Sequence, residues 1–270
     1  MKQQAKECFD IYKETIFSID NDLRFWRIYL KSSFDNSSGI EDMEVNTAIF
    51  CGYDHDFDKI GGNLRCHEKV YTTMSSELEK RRVDFFVWIM NLSVLRAYNA
   101  LEILLLQAIQ IVYYPNFSNP IEGKKQTDAI NAQIKEFLKS NSVKQTTKNN
   151  DHIIQFLKHK SIKIKTFLDL PMNIDLTTKW GDFFCLISIL RNVIAHNGAI
   201  VQPNVRNQIK SISKDIFERH FEIIPNVNGL PTLCPHDDIF ANFITYVNSL
   251  SINIYKFIFN ENDLTFIDLK

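Results

Sequence analysis

Apolar residues recur at spacings of three and four over about residues 2 to 31, at Phe9, Tyr12, Ile16, Ile19, Leu23, Trp26 and Leu30. That is the period of an amphipathic helix. From Ser32 to Gly62 the period lapses and Ser37-Ser38-Gly39, the acidic positions Asp54, Asp56 and Asp58, and Gly61-Gly62 accumulate. This predicts a long irregular connection with room for short strands. Between about His67 and Tyr114 neither Gly nor Pro interrupts the chain, which predicts one very long or once-broken helix stopped by Pro115. Two shorter helical patterns follow, about Thr127 to Lys139 and Asp151 to His159, separated by a polar run from Ser140 to Asn150 that reads as mobile.

Leu176 to Ala195 carries the next clear helix, with Phe183, Leu186, Ile187, Leu190 and Ile194 on one stripe. Asn197-Gly198 supplies its stop. Phe221 to Ile224 and Leu230 to Leu233 flank Pro225-Asn226-Val227-Asn228-Gly229, the signature of a small hairpin. Pro235 and Asp237 then open a last helix that keeps its period through Phe240, Phe243, Val247, Leu250, Ile254 and Ile258. The pattern predicts an all-α bundle with a small β-hairpin before the last helix. Residues 1–70 read as an N-terminal helical extension with an irregular connection, and 71–270 as the main helical domain.

Composition agrees with long helices, since Gly and Pro are scarce and Phe, Leu and Ile abundant. Cys8, Cys51, Cys66, Cys185 and Cys234 are odd in number and scattered, and the chain opens without a basic-then-apolar secretory pattern. Both features predict a cytoplasmic protein with reduced thiols. The apolar stretch Val83 to Tyr114 is interrupted by Asp84, Asn91, Arg96, Asn99 and Glu102, so it reads as a core helix and not as a membrane span. Within it Glu102 stands four residues after Tyr98 among apolar neighbours, and a carboxylate in such a place needs a partner.

Charge is uneven along the chain. Residues 121–165 hold ten Lys against four acids, a balance of +6 in a chain of net charge −1, so the rest carries −7. Lys158, Lys160, Lys163 and Lys165 suit tracking of a phosphate backbone, and a solvated, flexible surface explains them equally well. His152 and His159 in this segment read as exposed. Cys51, His55, Cys66 and His67 can be written as a zinc set, although adjacent Cys66 and His67 are an awkward ligand spacing. Asp54, Asp56 and Asp58 resemble half a calcium loop without the Gly and terminal Glu that an EF-hand requires. Neither supports a metal, and no phosphate loop, nucleophilic elbow or Cys-x-x-Cys pair calls for a cofactor.

The chemistry concentrates at the end of the helix over Leu176 to Ala195. Asn192 and His196 are four apart and share a face, whereas Arg191 lies about 140° from His196, a gap a long guanidinium can close. An imidazole transfers protons near neutral pH, as base towards a 2′-hydroxyl or acid towards a leaving 5′-oxygen. A guanidinium offers forked donors to phosphate oxygens and stabilises charge growing there. Together they suit cleavage of an RNA phosphodiester by its own 2′-hydroxyl. One helix supplies one imidazole, and a symmetric dimer would supply base and acid from two copies.

The run Leu190-Arg191-Asn192-Val193-Ile194-Ala195-His196-Asn197-Gly198 resembles the signature of the HEPN superfamily of helical ribonucleases, with Arg191, Asn192 and His196 matching by position. The likeness extends over about residues 80 to 260, taking in Tyr98 and Glu102 on the upstream helix and the hairpin with the final helix; residues before about 70 lie outside it. The resemblance implies a bundle that dimerises into a composite, metal-independent endoribonuclease site. Arg191 and His196 would be catalytic, with Asn192 orienting substrate or the His, and Asn197, Glu102 and Tyr98 in support. It further implies an RNA substrate and a role in toxin-antitoxin, abortive-infection or other antiviral defence, with an antitoxin or defence protein as a possible partner. In one subgroup a Tyr two residues after the motif His is modified by a partner; Gly198 stands there in this chain. The competing class is a non-catalytic module that uses the same helix to dimerise or to hold a nucleotide or RNA.

Overall fold

The computed structural model describes residues 2–37, 44–47, 71–74, 78–115, 124–143, 151–226 and 229–259. Among them are eight α-helices and two two-stranded antiparallel sheets, so the chain is mostly helical. It divides into two compact units, Met1–Leu23 with Trp88–Lys270, and Arg24–Val87.

Helix α1 runs Lys2–Ser37. It continues past the expected end near residue 31 because no Gly or Pro occurs before Gly39: losing the apolar period does not by itself break a backbone helix. Strands β1 (Glu44–Thr47) and β2 (Tyr71–Met74) pair antiparallel, Glu44 opposite Met74. β2 corrects the expectation of helix from about His67, since its backbone groups are taken by a cross-strand ladder and α2 begins only at Leu78 and ends at Tyr113. Within the smaller unit Trp26 meets Phe85 and Tyr29 edge-on at 5.7 Å, and Arg27 lies over the Phe86 ring at 5.4 Å.

In the larger unit α1 buries Phe9, Tyr12, Ile16 and Ile19, and α2 buries Tyr98, Leu101, Leu104, Leu105 and Ile109. Tyr12 donates its hydroxyl to Ser251 at 2.7 Å, and the Tyr255 hydroxyl donates to the Ala5 carbonyl, which ties α1 to the last helix. By length and composition Arg82–Tyr113 is apolar enough to cross a membrane, despite its polar interruptions, but 61% of its most apolar window is buried inside the fold.

Helices α3 (Lys124–Ser140) and α4 (Asp151–Lys160) match the two short patterns of the Lys-rich stretch; most of the polar run between them, 144–150, lies outside the described residues. Helix α5 (Ile162–Asp169) was not legible as a helix in the sequence; Ser161 caps it, its hydroxyl accepting the Ile164 N–H at 3.3 Å. Helix α6 spans Trp180–Asn197. Its expected start at Leu176 fails for a tertiary reason: the approach to the helix is extended, with Lys179 paired antiparallel to Pro171 and the Thr178 carbonyl taken by the Met172 N–H at 3.0 Å, while the Asp215 carboxylate accepts the Thr177 and Thr178 N–H groups at 2.6 and 3.0 Å. Asp215 sits on α7 (Pro203–His220), also absent from the sequence reading, which opens on a Pro suited to a first helical turn and kinks at Ser213.

The hairpin is as expected within a residue or two, β3 Phe221–Pro225 against β4 Pro231–Pro235, turning through Gly229 at φ 73°. A 3-10 turn, Asp237–Ile239, leads into α8 (Phe240–Ile258), which buries every apolar position of its predicted stripe from Phe240 onward. Phe183 of α6 meets Phe243 of α8 edge-on at 5.6 Å. Phe183, Phe184, Leu186 and Leu190 are fully buried, each worth about 1.5–3 kcal/mol of burial, so the body of α6 is fixed and its C-terminal turn is where the helix becomes exposed.

Candidate active site

The burial that fixes α6 determines where its polar residues stand. Leu190, Val193 and Ile194 are buried, Arg191 and Asn192 half-buried, and Ala195, His196 and Asn197 exposed. The helix stops at Gly198, left-handed at φ 57°, as expected of a Gly after the last turn. Ala199 repeats the left-handed conformation at φ 66°, where a side chain is disfavoured. The Gly198 and Ala199 N–H groups converge on the Val193 carbonyl.

Four of the sequence-predicted residues form one cluster between α2 and α6. The Arg191 Nη1 donates to Asn192 Oδ1 at 2.9 Å, and the guanidinium carbon stands 6.0 Å from the centre of the Tyr98 ring. Tyr98 is 1% exposed and its ring lies 6.1 Å from that of Phe184, so the aromatic floor is part of the core. Burial pushes the Glu102 carboxyl above its ordinary range, and the attraction of Arg191 pulls it back. The carboxylate singled out for want of a partner therefore has one. Arg191 Nε is buried and has no hydrogen-bond partner among the described residues.

His196 and Asn197 belong to the solvent-facing end of the same helix. Among the described residues no hydrogen bond joins His196 to Arg191 or to Asn192, so Asn192 serves the guanidinium here and not the imidazole. The Asn197 carbonyl accepts the Ile200 N–H at 3.0 Å and thereby tightens the turn after the motif. In one chain the cluster offers a held guanidinium and, a turn further, an exposed imidazole.

The four candidate phosphate-tracking lysines do not form one row. Lys158 is tied to Asp169 at 2.8 Å. Lys160 turns its ammonium over the Phe137 ring at 4.0 Å, close to Tyr113 and Phe156. Lys163 and Lys165 project to solvent from α5. His159 is exposed as expected. His152 corrects that expectation: it is 9% exposed, with Nε2 bonded to Asn131 at 2.9 Å, because α4 turns it towards α3. The candidate zinc and calcium positions, Cys51 to His67, lie outside the described residues, and among the described residues no three His, Cys, Asp or Glu side chains come together as a metal set.

Sequence reasoning missed the segment that follows the motif. Ile200 pairs antiparallel with Thr232, the Val201 N–H donates to the Pro231 carbonyl at 2.8 Å, and the Leu233 N–H donates to the Ala199 carbonyl at 2.9 Å. The chain after His196 is thus laid along the outer edge of β4. No local signal announces it, since Ala199-Ile200-Val201 is too short a run to read as a strand.

No family model, curated protein or solved structure matches the chain. The site therefore has to be read from its own chemistry.

Proposed function

We propose that the protein is a metal-independent endoribonuclease of the HEPN type, working at a site formed across a homodimer, in the cytoplasm, as a defence or toxin-antitoxin effector. The observation that carries the reading is the Arg191 cluster. A guanidinium held at a helix end by Asn192, Tyr98 and Glu102, with an exposed imidazole one turn on, pairs a phosphate-binding cation with a proton carrier.

In the proposed reaction His196 of one copy takes the proton from an RNA 2′-hydroxyl, and that oxygen attacks the adjacent phosphorus. The bond to the 5′-oxygen breaks, and the partner's His196 supplies the proton that oxygen needs. The products are a 2′,3′-cyclic phosphate and a 5′-hydroxyl end. Arg191 stabilises the charge that builds on the phosphoryl oxygens. A twofold axis near the exposed end of α6 would bring the two imidazoles to opposite sides of one phosphate.

One observation favours a second reading, a non-catalytic module that binds RNA or nucleotide or serves dimerisation. Arg191 is already engaged by groups of its own chain, which a purely structural guanidinium also requires. Incubating the pure protein with mixed RNAs in EDTA, beside Arg191→Ala and His196→Ala, separates the two. Cleavage by the wild type and loss in both variants supports the enzyme; RNA left intact by the wild type at every salt concentration supports the binding module. Sedimentation checks the composite site, which a strict monomer at micromolar concentration would overturn.

A further inference from the structure

A continuous line of hydrogen bonds crosses the molecule from α2 to the end of α6. Asn91 Nδ2 of α2 donates to the Leu233 carbonyl of β4 at 3.0 Å. The Leu233 N–H donates to the Ala199 carbonyl at 2.9 Å, and the Ala199 N–H donates to the Val193 carbonyl at 3.1 Å. Val193 and Ala199 bracket His196, so the last bond closes the loop that carries the imidazole. Asn91 and Leu233 are buried, 3% and 0% exposed, so water cannot readily replace either partner.

Two features of this line are costly on their own. Ala199 holds a left-handed backbone that L-residues disfavour. Asn91 Oδ1 is buried with no hydrogen-bond partner among the described residues, a cost an apolar residue of the same branched shape would not incur. Packing alone gives no reason for an amide at position 91. Its donor fixes the one β4 carbonyl next to the N–H that grips Ala199, and the grip holds Ala199 in its unfavourable conformation.

We propose that Asn91 is a positioning residue for His196, acting through the edge of β4 on the left-handed turn that ends α6. It touches neither Arg191 nor His196. It sets the angle at which the last turn of α6 presents the imidazole, and rests on the ribonuclease reading only for the consequence to catalysis.

The test uses the full chain with Asn91→Leu, which keeps the branched shape, and Asn91→Ala, which admits a water. Amide hydrogen exchange is followed at Ala199 and Leu233 with Leu104 to Leu106 of α2 as reference, the His196 Cε1–H signal is followed by NMR, and kcat and KM are measured on RNA. Exchange at Ala199 and Leu233 should accelerate about ten-fold with the α2 reference unchanged. The His196 signal should shift or broaden, and kcat should fall about ten-fold with KM unchanged. An unaltered His196 signal in both variants, or equal acceleration at all the amides, overturns the proposal. If the wild type cleaves no RNA, the ribonuclease reading fails by that result, while exchange and the His196 signal still decide the role of Asn91.

Discussion

The Asp215 carboxylate grips Thr178 twice, through its backbone N–H at 3.0 Å and through its hydroxyl, and so holds the chain that enters α6 against the kink of α7. Thr177 adds its N–H at 2.6 Å and its hydroxyl at 3.0 Å, and the Ile216 N–H a further bond at 2.8 Å. These donors hold the carboxyl far below the usual carboxylate range, against the burial that acts to raise it. Asp215→Ala should cost about 3 kcal/mol, as expected for losing several charge-assisted hydrogen bonds together, measured by urea unfolding near neutral pH. Because the folded value is depressed, this stabilisation is present above the ordinary value of 3.8 and is lost as pH falls below it. The difference between wild type and Asp215→Ala should therefore shrink in strong acid.

His152 and His220 make the fold sensitive to acid earlier. Burial lowers both to about 4 from 6.5; Lys135 adds to the effect at His152, and Arg219 and His236 at His220, where the Ile239 carbonyl partly opposes it. Each stabilises the fold above 6.5, and the contribution is lost as pH falls from 6.5 through about 4. The full drop corresponds to about 3 kcal/mol per imidazole. Thermal melts across this window should show a steep fall in the wild type and a shallower one in His220→Phe.

Glu102 has the opposite sign. Its raised carboxyl favours the protonated form in the folded chain, so its contribution is present below the ordinary value of 4.5 and is lost as pH rises through the folded value. Measured against Glu102→Gln, the wild type should be relatively more stable in mild acid and relatively less stable near neutrality. On the ribonuclease reading the Gln variant should also lose RNA cleavage, by about ten-fold, since the guanidinium then lacks the carboxylate that attracts it from α2.

Ala199→Gly should raise stability by about 1 kcal/mol, because Gly adopts the left-handed conformation without a Cβ penalty and every backbone bond of the turn survives. Chemical denaturation reads the gain directly. A loss of stability would mean that the Ala199 methyl, buried at 7% exposure, contributes more by packing than its backbone costs.

The helices were legible in proportion to how much of their backbone is satisfied locally. The stripes of α1, α6 and α8 announced themselves because each buries one continuous apolar face. The start of α6 was misplaced because the Thr178 carbonyl, which a helix from Leu176 would use as an acceptor, is taken by the Met172 N–H, in a segment where Lys179 pairs antiparallel with Pro171. β2 was hidden because Tyr71 to Met74 contains no breaker and its partner strand lies far upstream. α7 was hidden because its polar composition gives only a thin apolar stripe, Ile209, Ile216 and Phe217.

At the candidate site the sequence supplied Arg191, Asn192, His196, Tyr98 and Glu102, and the fold brings all but His196 into one cluster. It could not supply the link between Asn91 and Leu233, since a side-chain amide on a backbone carbonyl 142 residues away carries no spacing signature. Nor could it say that Asn192 serves Arg191, since helical spacing places it equally well for His196.

The chain laid along β4 after His196 bears on transplantation. Nine residues from Leu190 to Gly198 grafted onto the end of another helix would carry the guanidinium and the imidazole but not the edge strand that receives Ala199 to Val201. The graft would fray at its last turn, and the imidazole would sweep a cone of directions in place of one. A minimal portable unit has to include the hairpin and the face of α2 behind it.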